Sequence, residues 1–144
     1  MKKNGFTLIE MLLVLSISLL LLSISIFPAG NLLTQVLEKQ SLDQLKIDIM
    51  HLQAEAITAN QETSLVFVGT NNTYFGSLST PNESVISRKL TPTLQFQEKS
   101  EQTFRFSPPF GNISKFKTII IEGYSKKYAL IFQIGKGRFR IDEL

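Results

Sequence analysis

A long apolar run near the amino terminus constrains this chain more than any other feature of its 144 residues. Residues 6–27 contain one charged side chain, that of Glu10. At about 1.5 Å per residue, a helix of this length spans about 33 Å, which is enough to cross the hydrocarbon core of a bilayer. We therefore predict a membrane-spanning helix at residues 6–27. Lys2 and Lys3 precede the run, so the positive-inside rule predicts a cytoplasmic amino terminus.

A cleaved secretory signal is the main alternative, because it also combines a basic start with an apolar core. The run is longer than a usual signal core, and residues 26–29 (Ile-Phe-Pro-Ala) make a poor cleavage site. A carboxylate within hydrocarbon is costly unless it has a partner or a function. Glu10 has no purpose in an ordinary signal, which favours a helix that is retained.

The residues around Glu10 carry a family resemblance. A basic leader, a glycine, a phenylalanine and an acid follow one another over residues 2–10, KKNGFTLIE. This pattern, continued by an apolar helix, resembles the amino terminus of type IV pilins and pseudopilins. The resemblance implies that residues 1–5 are a leader, that prepilin peptidase cuts between Gly5 and Phe6, and that Phe6 is then N-methylated. It also implies that the chain is a substrate of that enzyme and not itself an enzyme.

The same resemblance gives Glu10 a role in assembly. Cleavage leaves a new α-amino group on Phe6, and Glu10 of a neighbouring subunit would pair with it in a low-dielectric setting, where the attraction is large. Loss of one partner from a buried pair costs about 3–5 kcal/mol. The alternative is that Glu10 only reaches the membrane interface. The partners implied are the membrane, prepilin peptidase and other major and minor pilins of one filament.

A second helical segment follows the apolar run. Pro28, Ala29 and Gly30 predict a kink or a short break, and residues 31–60 lack Gly and Pro, which predicts a helix. Apolar residues recur at steps of three and four along two stripes. The first consists of Leu42, Leu45, Ile49, Leu52, Ala56 and Ala59, and the second of Ile47, Met50, Ala54 and Ile57. One polar flank between them carries Gln44, Asp48, His51 and Glu55.

Two apolar faces predict a helix that lies between two surfaces. One face would meet the sheet of its own domain. The other would meet either a neighbouring subunit or another part of the same domain, and the pattern does not separate these alternatives.

Short β segments follow Asn60. Alternating and β-branched patterns predict strands at residues 63–68, 73–78, 85–87, 94–97, 103–106, 117–122, 128–134 and 138–141. We predict an α+β, pilin-like fold, in which a long amino-terminal helix packs on an antiparallel β-sheet. Its first half (6–27) is transmembrane, its second half (28–60) is amphipathic, and residues 61–144 form the sheet domain.

The sequence offers little for catalysis. It lacks cysteine, and its one histidine, His51, lies on a polar flank of the predicted helix, where we interpret it as solvated or at an interface. The segment 135–137 (Gly-Lys-Gly) lacks the spacing of a phosphate-binding loop. Asp142 and Glu143 are interpreted as solvated acids. We predict no catalytic residue, no metal site and no cofactor.

The carboxy-terminal third is the basic end of the chain. Residues 31–102 contain five Lys/Arg against eight Asp/Glu, whereas residues 103–144 contain eight against three. Five of these cations fall in or beside one predicted hairpin system, with Tyr124, Tyr128 and Phe139 among them. This basic cluster consists of Lys126, Lys127, Lys136, Arg138 and Arg140. It suits contact with DNA phosphates or with an acidic partner, or it protects an edge strand from aggregation.

Taken whole, the chain most resembles the ComGD type of competence pseudopilin from Gram-positive bacteria. That resemblance implies a minor pilin of a DNA-uptake pilus, held in the cell membrane before assembly and exposed at the cell surface afterwards. Two alternatives stay open. One is a type II secretion pseudopilin, and the other is a pilus-associated adapter that binds DNA through the basic cluster.

Overall fold

A computed structural model describes residues 7–26, 29–79, 84–113, 115–135 and 137–144. The chain divides into two compact units, Met1–Gln35 and Val36–Leu144. The described helices are α1 (Leu8–Ile26) and α2 (Ala29–Thr58). The described strands are β1 (Thr63–Val68), β2 (Thr73–Leu78), β3 (Ser84–Lys89), β4 (Gln95–Phe96), β5 (Glu101–Ser107), β6 (Asn112–Ile113), β7 (Lys117–Glu122), β8 (Lys127–Phe132) and β9 (Phe139–Glu143).

Helix α1 occupies most of the apolar run, and Glu10 lies in its first turn. Over the described part of the chain, neither helix meets the length and hydropathy expected of a membrane-spanning segment. The transmembrane assignment of residues 6–27 therefore stays a prediction. Pro28 and the leader at residues 1–5 lie outside the described residues. The predicted kink or short break stays a prediction, because it centres on Pro28, and Ala29 and Gly30 belong to α2, which begins at Ala29.

The first apolar stripe of α2 is its buried face, as predicted. Five of its six members are fully or almost fully buried in the domain core: Leu42, Leu45, Ile49, Leu52 and Ala56. Ala59 is exposed, because the helix ends at Thr58. Glu38 and Asp48 also lie on this face and are buried, so the prediction that Asp48 lies on a polar flank is wrong.

The second stripe of α2 is exposed. Ile47, Met50 and Ile57 expose 54%, 52% and 48% of their surface, and Ala54 is also exposed. Burial of this stripe within its own domain, one of the two alternatives, is therefore wrong for the described structure. Contact with a neighbouring subunit stays a prediction.

The strands form two antiparallel sheets, whereas the sequence predicts one. The first has the order β3-β2-β1-β5-β6 and the second the order β4-β7-β8-β9. An isolated bridge joins Ile113 of β6 to Gly135, which follows β8 of the second sheet by three residues. β6 is not among the predicted strands, and β3 is longer than the predicted strand at 85–87.

Aromatic rings from both sheets meet beneath α2. Phe67 of β1 lies 5.3 Å from Phe96 of β4, and Phe104 of β5 stacks on Phe132 of β8 at 4.3 Å between ring centroids. The helix approaches β2 so closely that a Cβ atom on Gly76 would lie 2.7 Å from Leu52 Cδ1. The result is the predicted α+β arrangement of an amino-terminal helix packed on antiparallel sheets.

Candidate functional site

The first turn of α1 shows how Glu10 is positioned. Thr7 directly precedes the helix, and the Glu10 backbone N–H donates to the Thr7 carbonyl at 3.1 Å and to Thr7 Oγ1 at 3.4 Å. Thr7 is thus the amino-terminal cap, and Glu10 takes the third helical position. The partial positive charge of a helix amino terminus stabilises an acid there. Sequence reasoning missed the cap formed by Thr7, although Thr-x-x-Glu is a signature of a helix start.

The Glu10 side chain is exposed, so it is free to meet another molecule. Gly5 and Phe6, the predicted cleavage and methylation residues, lie outside the described residues. Their roles, and the pairing of Glu10 with a neighbouring amino terminus, therefore stay predictions.

Three serine side chains of α1 bond to the backbone of their own helix. The hydroxyl groups of Ser16, Ser18 and Ser23 donate at 2.8 Å to the carbonyl oxygens of Leu13, Val14 and Leu19, three or four residues earlier. A hydroxyl bonded to its own helix needs no water. Beyond its first turn, the helix thus exposes mainly apolar side chains.

The basic cluster is less basic than its sequence indicates. Lys126 pairs with Glu143, Lys127 with Glu122 at 2.8 Å, and Arg140 with Asp142 at 2.7 Å. Arg138 is exposed and makes no ion pair within the described residues, and Lys136 lies outside them. These acids come from the same hairpins, so most of the described positive charge is matched locally.

The pKa values follow from these pairs. The hydrogen bond from Lys127 lowers the pKa of the Glu122 carboxyl. The hydrogen bond to Glu143 raises the pKa of Lys126. Both shifts favour the charged, paired forms at neutral pH.

The three aromatic residues predicted to accompany the cations do not form a stacking surface. Tyr124 is exposed, but Tyr128 and Phe139 pack against the core. Arg138 and Arg140 instead line a shallow groove of about 510 Å³ with Met50 of α2. The groove joins part of the basic cluster to the exposed stripe of α2.

Two buried acids of α2 connect the helix to the sheets, and sequence reasoning missed both. Asp48 is 4% exposed and accepts hydrogen bonds from Tyr74, Arg88 and Gln44. The signal was its position three residues after Leu45 on the apolar stripe.

Glu38 is 1% exposed, and its Oε1 accepts the backbone N–H of Tyr124 at 2.7 Å, which fixes the turn between β7 and β8. Its Oε2 has no hydrogen-bond partner within the described structure. A Cβ atom on Gly123 would lie 2.8 Å from Glu38 Oε2, so glycine is the residue that fits this turn.

His51, which is also predicted to lie on the polar flank of α2, forms no part of a larger cluster of polar side chains within the described residues. His51 is exposed, with Nε2 3.5 Å from Glu55 Oε1 on the next turn. Across the described residues, no group of three or more histidine and acidic side chains is arranged to hold a metal ion.

Comparison with known proteins concerns the amino-terminal segment that contains Glu10. A family model described as the prokaryotic N-terminal methylation motif matches residues 1–26. The chain begins with a type IV prepilin-like methylation motif. The motif covers Gly5, Phe6 and Glu10 and supports the pilin family, whose members are structural subunits. No curated protein and no solved structure matches this chain.

Proposed function

We propose that this chain is a minor pilin, or pseudopilin, of a competence type IV pilus that takes up DNA in natural transformation. Prepilin peptidase removes residues 1–5 and N-methylates Phe6. The mature chain is stored in the cell membrane through its amino-terminal helix and is then built into a filament at the cell surface. The observation that carries the proposal is the match of residues 1–26 to the methylation motif.

The surface of α1 supports storage in a bilayer and later burial in a filament. Its only charged residue is Glu10, and the hydroxyls of Ser16, Ser18 and Ser23 are bonded to the helix backbone. Such a helix loses little when water is replaced by lipid or by the helices of other subunits. One long apolar element therefore serves both states.

Glu10 is proposed to set the register between subunits. An ion pair between its carboxylate and the Phe6 amino group of a neighbour would form only at one axial offset. In surroundings of low dielectric that pair is strong, and a misplaced subunit would leave both charges unpaired. Its position in the first turn of α1 keeps the carboxylate close to the point of cleavage.

The exposed stripe of α2 supplies a second contact with neighbouring pilins. Ile47, Met50 and Ile57 are all about half exposed at helical spacing, so they form an apolar stripe on the surface of the domain. Contact with other subunits of the filament would remove this surface from water.

The competence assignment rests on the resemblance of the whole chain to ComGD-type pseudopilins. A type II secretion pseudopilin would share the motif, the helix and the fold. Neighbouring genes separate the two, because competence genes accompany the first and a secretin gene accompanies the second. The adapter hypothesis is the weaker one, since Lys126, Lys127 and Arg140 are paired with acids.

Substitution of Gly5 tests the proposal. The chain with Gly5→Val should keep its leader, migrate more slowly on a gel, stay out of filaments and fail to support transformation. Gly30→Val is the matched control, because nothing lies within 4 Å of a Cβ atom at Gly30. Normal mobility of the Gly5 variant would contradict the prepilin assignment. Processing without any role in transformation would contradict the competence assignment alone.

A further inference from the structure

A polar groove lies between α2 and β3, in a part of the domain to which the sequence assigns no function. β3 is an end strand of the five-stranded sheet and pairs with β2 on one side. The groove has a volume of about 480 Å³. Its lining includes Gln40, Ser41, Gln44, Ser87, Arg88 and Lys89.

Arg88 is held in place by a buried acid. Its Nε donates to Asp48 Oδ2 at 2.7 Å, and the same carboxylate accepts the Tyr74 hydroxyl at 2.7 Å and the Gln44 amide at 2.9 Å. The contact uses Nε, so the two Nη groups lie outside it, and the Arg88 side chain is half exposed. An arginine fixed in this way loses little freedom when it binds a ligand.

Lys89 adds a second cation at the groove. It is exposed and makes no ion pair within the described residues. Arg88 neutralises the charge of Asp48, so Lys89 gives the groove a net positive charge. Hydroxyl and amide groups in the lining supply further hydrogen-bond donors. Carboxylates and phosphates are the groups that such donor sets bind.

Two observations favour carboxylates on a protein over phosphates on a nucleic acid. The groove offers only two cations, Arg88 and Lys89, whereas DNA affinity grows with the number of phosphates neutralised. Among the described strands β3 pairs only with β2, so its other edge offers main-chain donors and acceptors to an added strand. Five of its six residues are exposed. Only a polypeptide can use both features.

We propose that the β3 groove docks an extended, acidic segment of another protein. The segment adds to the edge of β3, while Arg88 and Lys89 bind its carboxylates. The inference does not depend on the methylation motif or on the type of filament.

Fluorescence anisotropy with the full-length protein in detergent micelles tests this proposal. The probes are a labelled octapeptide of alternating Glu and Val, the same peptide with Gln for Glu, and an oligothymidylate of matched charge. We expect the Glu peptide to bind at least about tenfold more tightly than the other two at low salt. Equal binding of the two peptides, or tighter binding of the oligothymidylate, would overturn the proposal.

Variants locate the site. The double variant Arg88→Gln and Lys89→Gln should weaken binding of the Glu peptide about tenfold or more. The control, Lys99→Gln with Arg105→Gln, removes the same charge from exposed positions before and within β5 and should leave binding unchanged. Equal loss in both double variants would reduce the effect to net charge and overturn the proposal.

A second variant guards against misfolding. Lys89→Glu leaves every contact of Asp48 in place and reverses one charge in the groove, so it should weaken binding by itself. Unchanged binding by this variant would contradict the assigned role of Lys89. Circular dichroism of each variant checks that the fold is retained.

Discussion

At the scale of single residues, Asp48 shows how a buried charge is made tolerable. Its carboxylate has donors on both oxygens, from its own helix, from β2 and from β3. A buried charge with fewer partners would destabilise the fold, because burial removes its hydration. Tyr74 lies in the same buried environment and donates its hydroxyl hydrogen to this carboxylate. Burial, and then the hydrogen bond to Asp48, raise its pKa far above the ordinary value.

This pKa shift predicts a loss of stability in alkaline solution. An unfolded tyrosine releases its proton above the ordinary pKa of 10.0, whereas folded Tyr74 keeps its proton. The folded state then binds more protons, so the free energy of unfolding falls as pH rises, by at most about 1.4 kcal/mol per pH unit. Tyr74→Phe removes the titrating group but also one hydrogen bond. It should be less stable than wild type at pH 8, and the difference should shrink by pH 11.

Urea unfolding followed by circular dichroism at several pH values measures both proteins. Parallel loss of stability in wild type and Tyr74→Phe would show that other groups cause the alkaline effect. The comparison isolates Tyr74 because Phe keeps the ring packed against Phe67.

At the scale of elements, α2 has one apolar face for its own domain and one without a partner in it. Leu52 of the buried face is 0% exposed, whereas Met50 of the second stripe is 52% exposed. The two faces should therefore differ in what their loss affects. Leu52→Ala should lower the free energy of unfolding by about 2–5 kcal/mol. Met50→Ser should change it by less than about 0.5 kcal/mol.

Assembly with other pilins should instead depend on the second stripe. If the second stripe contacts neighbouring pilins, Met50→Ser should reduce copurification of other pilins from membrane extracts while the domain stays folded. Equal copurification of wild type and Met50→Ser would leave the stripe without an intermolecular role. Denaturant unfolding and quantitative blotting measure the two effects separately.

Periodicity accounts for which elements the sequence predicts well. Strands β1, β2 and β7 are confirmed with their predicted bounds, because each is rich in β-branched or aromatic residues between clear turns. The sequence predicts only part of β3, because Ile86 alone of its six residues is buried and the alternation of apolar and polar residues is therefore weak. The division into two sheets depends on long-range strand pairing, which local patterns do not encode.

The candidate sites divide in the same way. Gly5, Phe6 and Glu10 are recognisable because their motif is contiguous in the chain. The groove at β3 cannot be recognised from the sequence, because Asp48 and Arg88 are forty residues apart and meet only in the folded domain. The acids that pair with the basic cluster are near it in sequence, but strand register decides which of them meet. Lys127 faces Glu122 because β7 and β8 pair them directly.

At the scale of the whole molecule, the basic end of the sequence is not a continuous positive surface. The acids Glu122, Asp142 and Glu143 each hold one cation of the basic cluster. An exposed ion pair of this kind contributes little to stability. Its consequence lies in binding, because the charge of the acid offsets that of its cation and weakens the attraction of the cation for a phosphate.

Removal of these three acids should expose the cations. The variant with Glu122→Gln, Asp142→Asn and Glu143→Gln should bind duplex DNA more tightly than wild type. Its log–log dependence on salt should be steeper by about 2–3, since each freed cation adds about 0.9 to the slope. The control variant Asp43→Asn, Glu55→Gln and Glu62→Gln makes the same change in charge at acids paired with Lys46, His51 and Arg105.

Fluorescence anisotropy with full-length protein between 50 and 200 mM salt, the range in which counterion release dominates, measures these slopes. A gain confined to the first variant means that its three acids mask a surface able to bind DNA. Equal gains in both variants mean that net charge alone governs binding. A wild-type slope already as steep as that of the first variant would contradict the masking argument, because the pairs would then be too weak to withhold their cations from phosphate.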